Sequence, residues 1–354
     1  MDIRELLAIT VESKASDLHL LAGSAPMIRV DGALYPVKQE TKLTPETSRD
    51  LVLSLLSPTQ KNLLLTNKEI DFSFNFGDRG RFRVNAYFER GRMGAALRLI
   101  PNKIKGIEEL NLPKICHRFT QLKSGFILVT GPTGHGKSST LAAIIDEINT
   151  KRKEHIITIE DPIEYVYENK ESIISQRELN HDTYSWTISL RSALREDPDV
   201  VLVGEMRDYE TIAAALTIAE TGHLVFATLH TNSASQTIDR IVDVFPEHQQ
   251  AQIRMQLSNS LEAVFSQRLL PALGGGRIPA CEVLLATSAV KATIREGKTH
   301  LIDNVIQTSQ GMGMISLESS LAELVKIGRI SREIALAWSL RPKELARLLG
   351  EGKT

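Results

Sequence analysis

Two rhythms of apolar residues run along this chain, and one gives way to the other near residue 110. In the first part the apolar runs are short and often interrupted. Residues 3–9 have the spacing of a short amphipathic helix. Leu18–Leu21 and Met27–Val30 read as extended, broken by Gly23, Pro26 and the pair Asp31-Gly32, which signals a hairpin. Thr44-Pro45-Glu46 is a helix start, and the pattern carries that helix to Leu56. Asp71–Phe76, Arg81–Phe88 and Ala95–Ile100 follow as strands, the second by clean alternation. Together they predict a small α+β domain over residues 1–98. The polar, proline-led stretch Pro101–Gly106 places a linker at 99–111.

From residue 112 onward the strands are apolar on both sides. Phe126–Val129, His155–Ile159, Val200–Val203 and Leu224–Thr228 alternate with helical stretches, the pattern of a parallel sheet covered on both faces. The expected class is α/β, with the second domain spanning 112–354. Its last part, from about residue 234, reads as mostly helical and ends in an amphipathic stretch, Glu333–Leu349, interrupted at Pro342.

Composition narrows this picture. The 354 residues suffice for two cores, and 42 basic against 43 acidic residues imply no broad polyanion-binding surface, so nucleic acid is not expected as a partner. Cys116 and Cys281 stand far apart, which excludes a disulfide framework and a four-cysteine zinc site and suits a reducing cytoplasm. No apolar run approaches the roughly 20 residues that span a bilayer, so direct membrane insertion is not expected.

The densest chemistry is Gly131-Pro132-Thr133-Gly134-His135-Gly136-Lys137-Ser138, followed by Ser139. It lies between an apolar strand and a helical stretch. Strand, glycine turn and helix bring backbone N–H groups and a helix N-terminus onto a phosphate. Lys137 can reach the β- and γ-phosphates, and the Ser138 hydroxyl can ligate Mg²⁺. A nucleoside triphosphate is the expected ligand. Phosphoryl chemistry also needs an acidic group to orient water, placed where neighbouring strands end. Three segments qualify: Glu160-Asp161 with Glu164, Gly204-Glu205 closing an apolar strand, and His223 and His230 at the two ends of the next strand.

In this order the segments resemble the secretion and type IV pilus ATPase superfamily over essentially the whole chain. Its four signatures would be the phosphate loop at 131–138, an acidic box at 158–168, a Walker B segment at 194–208 and a histidine box at 217–231. The resemblance implies a RecA-like P-loop domain preceded by a PAS-like domain, with ATP and Mg²⁺ as cofactors. It implies catalytic roles for Glu205, Glu160, Glu164, His230 and His223, with Glu205 reaching Mg²⁺ through water. Arg83 and Arg98 match the arginines that reach the nucleotide in the family. A homohexamer is implied, working on an inner-membrane pilus platform protein at the cytoplasmic face, and on pilin only indirectly.

Ala15–Leu20, Pro26–Gly32, the short N-terminal part and the absence of zinc cysteines in 267–277 are closest to the pilus-retraction branch, rather than to assembly or secretion ATPases. Two departures stand out. His135 occupies a loop position where serine is usual. Residues 289–296 read Ala-Val-Lys-Ala-Thr-Ile-Arg-Glu, where the retraction branch carries Ala-Ile-Arg-Asn-Leu-Ile-Arg-Glu. The second leaves open a principal motor or an accessory, regulatory ring.

Overall fold

The computed structural model describes residues 1–30, 32–37, 41–100 and 103–350, in two compact units. The first comprises Met1–Lys103 with Pro162–Val166; the second runs from Ile104 to Asp161 and from Tyr167 onward. Asp31 of the expected hairpin pair, and Pro101 and Asn102 of the expected linker, lie outside the described residues. The rest of that linker differs from expectation. Ile107 and Leu112 are buried in the second unit's core, so apolar side chains fasten the segment to that unit.

The first unit contains α1 (Ile3–Glu12), β1 (Asp17–Leu20), β2 (Met27–Val30), β3 (Ala33–Pro36), α2 (Pro45–Ser54), α3 (Pro58–Asn67), β4 (Glu69–Asn75), β5 (Arg81–Glu89) and β6 (Arg92–Ile100). Its six strands form an antiparallel sheet in the order β3-β2-β1-β6-β5-β4. Helix α1 starts with a capping box between Asp2 and Glu5, and α3, which apolar periodicity does not reveal, with one between Ser57 and Gln60. Alternation in β5 turns Phe82, Val84 and Ala86 into a core shared with Leu6, Leu7, Leu18, Val52 and Leu64.

The second unit contains α4 (Ile115–Phe119), β7 (Gly125–Thr130), α5 (Lys137–Lys151), β8 (His155–Glu160), β9 (Ile173–Glu178), α6 (Trp186–Ala193), β10 (Val200–Val203), α7 (Tyr209–Glu220), β11 (Leu224–Leu229), α8 (Ala234–Asp243), α9 (Glu247–Ser260), β12 (Leu261–Pro271), β13 (Arg277–Leu285), α10 (Ser288–Arg295), α11 (Ile302–Thr308), α12 (Leu317–Lys326), α13 (Arg332–Trp338) and α14 (Pro342–Leu348). Its seven strands run β13-β12-β7-β11-β10-β8-β9, all parallel except β13. Phe126 and Leu128 face one apolar layer with α6–α9, while Ile127 and Val129 face another with α4 and α5. Both faces are covered, which is why these strands read as continuous apolar runs.

The mostly helical expectation beyond residue 234 is corrected by the hairpin β12–β13. No breaker separates α9 from β12, which begins at the very next residue, Leu261. Because β12 is buried on both faces, its alternation is blurred as well. Both cysteines lie inside the apolar core, and burial pushes the Cys116 thiol up to about 12.

One buried acid makes stability depend on pH. Glu282 on β13 accepts the Ala234 N–H at 2.6 Å, at the start of α8. Burial pushes its carboxyl from 4.5 up to about 7; the Asp303 and Glu318 carboxylates add to the rise, and the Ala234 bond and Arg341 oppose it. A raised native value favours the protonated acid, so this stabilisation is full below about 4.5 and is lost as pH rises through about 7. Glu282→Gln keeps the acceptor and removes the charge. Denaturant titrations at pH 5 and pH 8 are expected to show the wild type losing roughly 3 kcal/mol relative to this variant over that interval.

Candidate active site

The parallel strands end together. Thr130 pairs with Leu229, Ala227 with Val203, and Val203 with Ile159, so the loops after β7, β8, β10 and β11 leave from one edge of the sheet. Ligands of open α/β sheets bind at that edge. The loop from β7 to α5 runs beneath β12. At Gly131, φ is +143°, and a Cβ there would lie 2.3 Å from the Gln267 carbonyl oxygen; at Gly136, φ is +84°, with Gln267 Nε2 at 2.9 Å. Glycine is what allows so close a passage.

Most other long helices begin under a Ser, Thr or Asp cap, such as Ser185 for α6, Asp208 for α7 and Ser233 for α8. The 15-residue α5 starts from Gly136 without a side-chain cap. Its first-turn N–H groups and its dipole are suited to an anion. Lys137 is buried, and its Nζ donates to the carbonyls of Gly131 at 2.8 Å and Pro132 at 3.0 Å. Ser138 and Ser139 follow it in the first turn.

Glu205, two residues past β10, connects to this loop through His230. Its Oε1 lies 3.1 Å from His230 Nε2, and its Oε2 accepts from Arg207 Nη2 at 2.8 Å. The other His230 nitrogen, Nδ1, lies 3.3 Å from the Thr133 hydroxyl and 3.5 Å from Lys137 Nζ. Burial raises the Glu205 carboxyl, but Arg207 and His230 outweigh it and hold the acid below its usual range. It is therefore ionised at neutral pH, the state needed to accept a proton from water. A Cβ on Gly204 would come 3.1 Å from Glu160 Cα, so the close pass against β8 accounts for glycine where many such segments carry aspartate. Glu160 is buried on that neighbouring strand, where it accepts from Thr158 Oγ1 at 2.7 Å and Gln176 Nε2 at 3.4 Å.

Four further residues of the expected site lie elsewhere in the chain's two units. His223 is separated from the loop within the chain. It sits at the opposite end of β11, and Leu224 beside it pairs with Gly125 at the start of β7, about 20 Å of strand away from the loop. Its Nδ1 instead meets the Ile218 carbonyl and the Thr221 hydroxyl, both at 3.0 Å, where α7 ends. Glu164 is exposed and groups with the first unit. Arg83 and Arg98 are also in the first unit, directly opposite each other on β5 and β6. Arg98 Nε donates to Asp17 at 3.0 Å, which leaves its two Nη groups for other acceptors.

Sequence reasoning missed Gln267. Almost fully buried on β12, it accepts from Thr140 Oγ1 and donates to the His135 carbonyl, each at 2.6 Å. Its one advance signal is a polar amide inside an apolar run.

Comparison with known proteins places the chain in a family. Residues 2–337 match the family described as type II/IV secretion system protein. The chain is 49% identical over 335 residues to the type IV pilus retraction ATPase PilT of Pseudomonas aeruginosa, covering 95% of this chain and 97% of that one. It is 39% identical over 353 residues to the type IV pilus ATPase PilU of the same organism, covering 99% and 92%. A crystal structure of the pilus retraction motor PilT with bound ADP superposes with a TM-score of 0.91 at 48% identity, covering 98% and 99%. A glycine loop packed against β12, a lysine buried within it and an ionised glutamate one histidine away thus occur in a chain that belongs to the type II/IV secretion system protein family.

Proposed function

We propose that this protein is an ATP-hydrolysing motor for type IV pilus retraction, and so for twitching motility, acting as a homohexamer at the cytoplasmic face of the inner membrane. The observation that carries the enzymatic reading is the chain of contacts from Lys137 through His230 to Glu205, which links phosphate loop and base. The retraction reading is supported by near-complete coverage of a pilus retraction ATPase at 49% identity, against 39% for PilU.

In this reading residues 131–139 hold the triphosphate of ATP, with Lys137 turning from its loop carbonyls to the β- and γ-phosphates. Ser138, and Glu205 through water, present hard oxygen donors that fit Mg²⁺, an ion that takes few protein ligands beside substrate phosphates and neutralises charge on them. Glu205 orients and deprotonates the attacking water, and His230 fixes the carboxylate. Glu160 supports the acidic side of the site. Arg83 and Arg98 donate to the triphosphate, as the resemblance implies. The first unit is read as the PAS-like domain, and the resemblance gives Glu164 a catalytic role. The partner is a pilus platform protein of the inner membrane.

A second reading, an accessory PilU-like ring, is favoured by α10. There the mild departures from the retraction segment include the buried Val290, while the marked ones, Ala292 and Thr293, are partly exposed where a partner would meet them. Steady-state ATP hydrolysis with sizing in ATP separates the two. Turnover in a particle of about six subunits is the expected result; ATP binding with no turnover would sink the motor and leave the accessory ring.

A further inference from the structure

His135 stands where the resemblance expects serine, and its ring is tied to elements outside the loop's own strand and helix. Nδ1 accepts the Leu269 N–H of β12 at 3.0 Å. The ring centroid lies 5.4 Å from that of Trp338, the last residue of α13. Around it, Gln267 donates to the His135 carbonyl, Arg277 of β13 donates to the Gly134 carbonyl at 3.2 Å, and Arg268 donates to the Trp338 carbonyl at 3.0 Å. The middle of the loop is therefore fastened to the β12–β13 hairpin and to α13. A serine side chain is too short to make either the Leu269 bond or the Trp338 contact.

Accepting at Nδ1 requires a ring without a proton there. The surroundings maintain that state. Burial holds the imidazole below its usual 6.5, and Arg268 of β12, Lys137 of α5 and Arg277 of β13 add to the effect.

We propose that His135 is a positioning residue for the triphosphate, holding the loop's backbone N–H groups in their phosphate-binding arrangement and making nucleotide affinity answer to β12 and α13. This rests on reading residues 131–138 as the triphosphate site. A loop fixed beforehand need not be ordered when the nucleotide arrives, so the gain appears in affinity rather than in the chemical step.

The test compares full-length wild type with His135→Ser, His135→Asn and Trp338→Ala, measuring ADP binding, KM and kcat for ATP, and thermal melting. Loss of one hydrogen bond and a ring contact is expected to weaken ADP binding and raise KM roughly 3- to 10-fold in His135→Ser, with kcat changed less. Asparagine, whose Oδ1 can stand in for Nδ1, is expected to restore most of the affinity. Adding Trp338→Ala to His135→Ser in a double variant is expected to cost nothing further, since His135→Ser already removes the ring contact with Trp338. The proposal is overturned if His135→Ser keeps wild-type affinity, if asparagine rescues nothing, or if affinity falls only in step with Tm. A wild type that binds ADP beside an unaffected His135→Ser fails the latch alone; a wild type that binds none fails the phosphate site and the latch with it.

Discussion

Glu205→Gln is expected to lower kcat for ATP by about 10²- to 10⁴-fold, the usual contribution of a positioned general base, while leaving nucleotide binding near wild type. Glutamine has the size of glutamate and can still accept from Arg207 or His230, which lie 2.8 and 3.1 Å from the native carboxylate. It cannot take a proton from water. In the proposed site residues 131–139 hold the nucleotide and Glu205 reaches it only through water, so the loss is expected to fall on turnover. Single-turnover hydrolysis beside equilibrium ADP binding checks this. A variant that keeps more than about a tenth of the wild-type rate would remove Glu205 from the role of base.

Gly131→Ala is expected to abolish useful ATP binding by another route. Its methyl would need to occupy space 2.3 Å from a backbone oxygen of β12, at a φ of +143° that L-residues rarely adopt. Backbone strain of about 1–3 kcal/mol and overpacking of similar size must be relieved by moving the loop off the strand. Gly134→Ala is the matched control. Its φ is +77°, but a Cβ there meets nothing within 4 Å, so only the strain remains. Nucleotide titrations and melting curves on both variants should show the larger loss in Gly131→Ala; equal behaviour would mean that the close pass to Gln267 does not shape the loop.

What the sequence made legible follows from the range of the forces involved. The phosphate loop is a local motif whose glycines and lysine act within a few residues of one another. Glu160, Glu205 and His230 could be placed together because parallel strands present their C-terminal ends along one edge. The same rule separates His223 from that edge, because it precedes its strand; an expectation that admitted both ends of β11 did not apply the strand's direction. Gln267 was out of reach because its partners Thr140 and His135 lie 127 and 132 residues away in the chain. The β12–β13 hairpin stayed hidden because β12 follows α9 without a turn residue and is buried on both faces, so neither a breaker nor an alternation marks it. Helix α3 was passed over because it has no apolar stripe; only its Ser57-Pro58 start and Gln60 mark it.

The outermost strands of the two sheets have a consequence for how copies of the chain can meet. Edge strand β3 ends in Pro36, and β4 carries Glu69 and Asp71. On the other sheet β13 holds Arg277 and Pro279, and β9 ends in Arg177 and Glu178. Prolines and charges on edge strands discourage a neighbour from zipping on as the next strand. Open-ended polymerisation through backbone ladders is thereby opposed. Assembly through side-chain surfaces is favoured over strand addition, and such contacts can shift without unravelling a sheet.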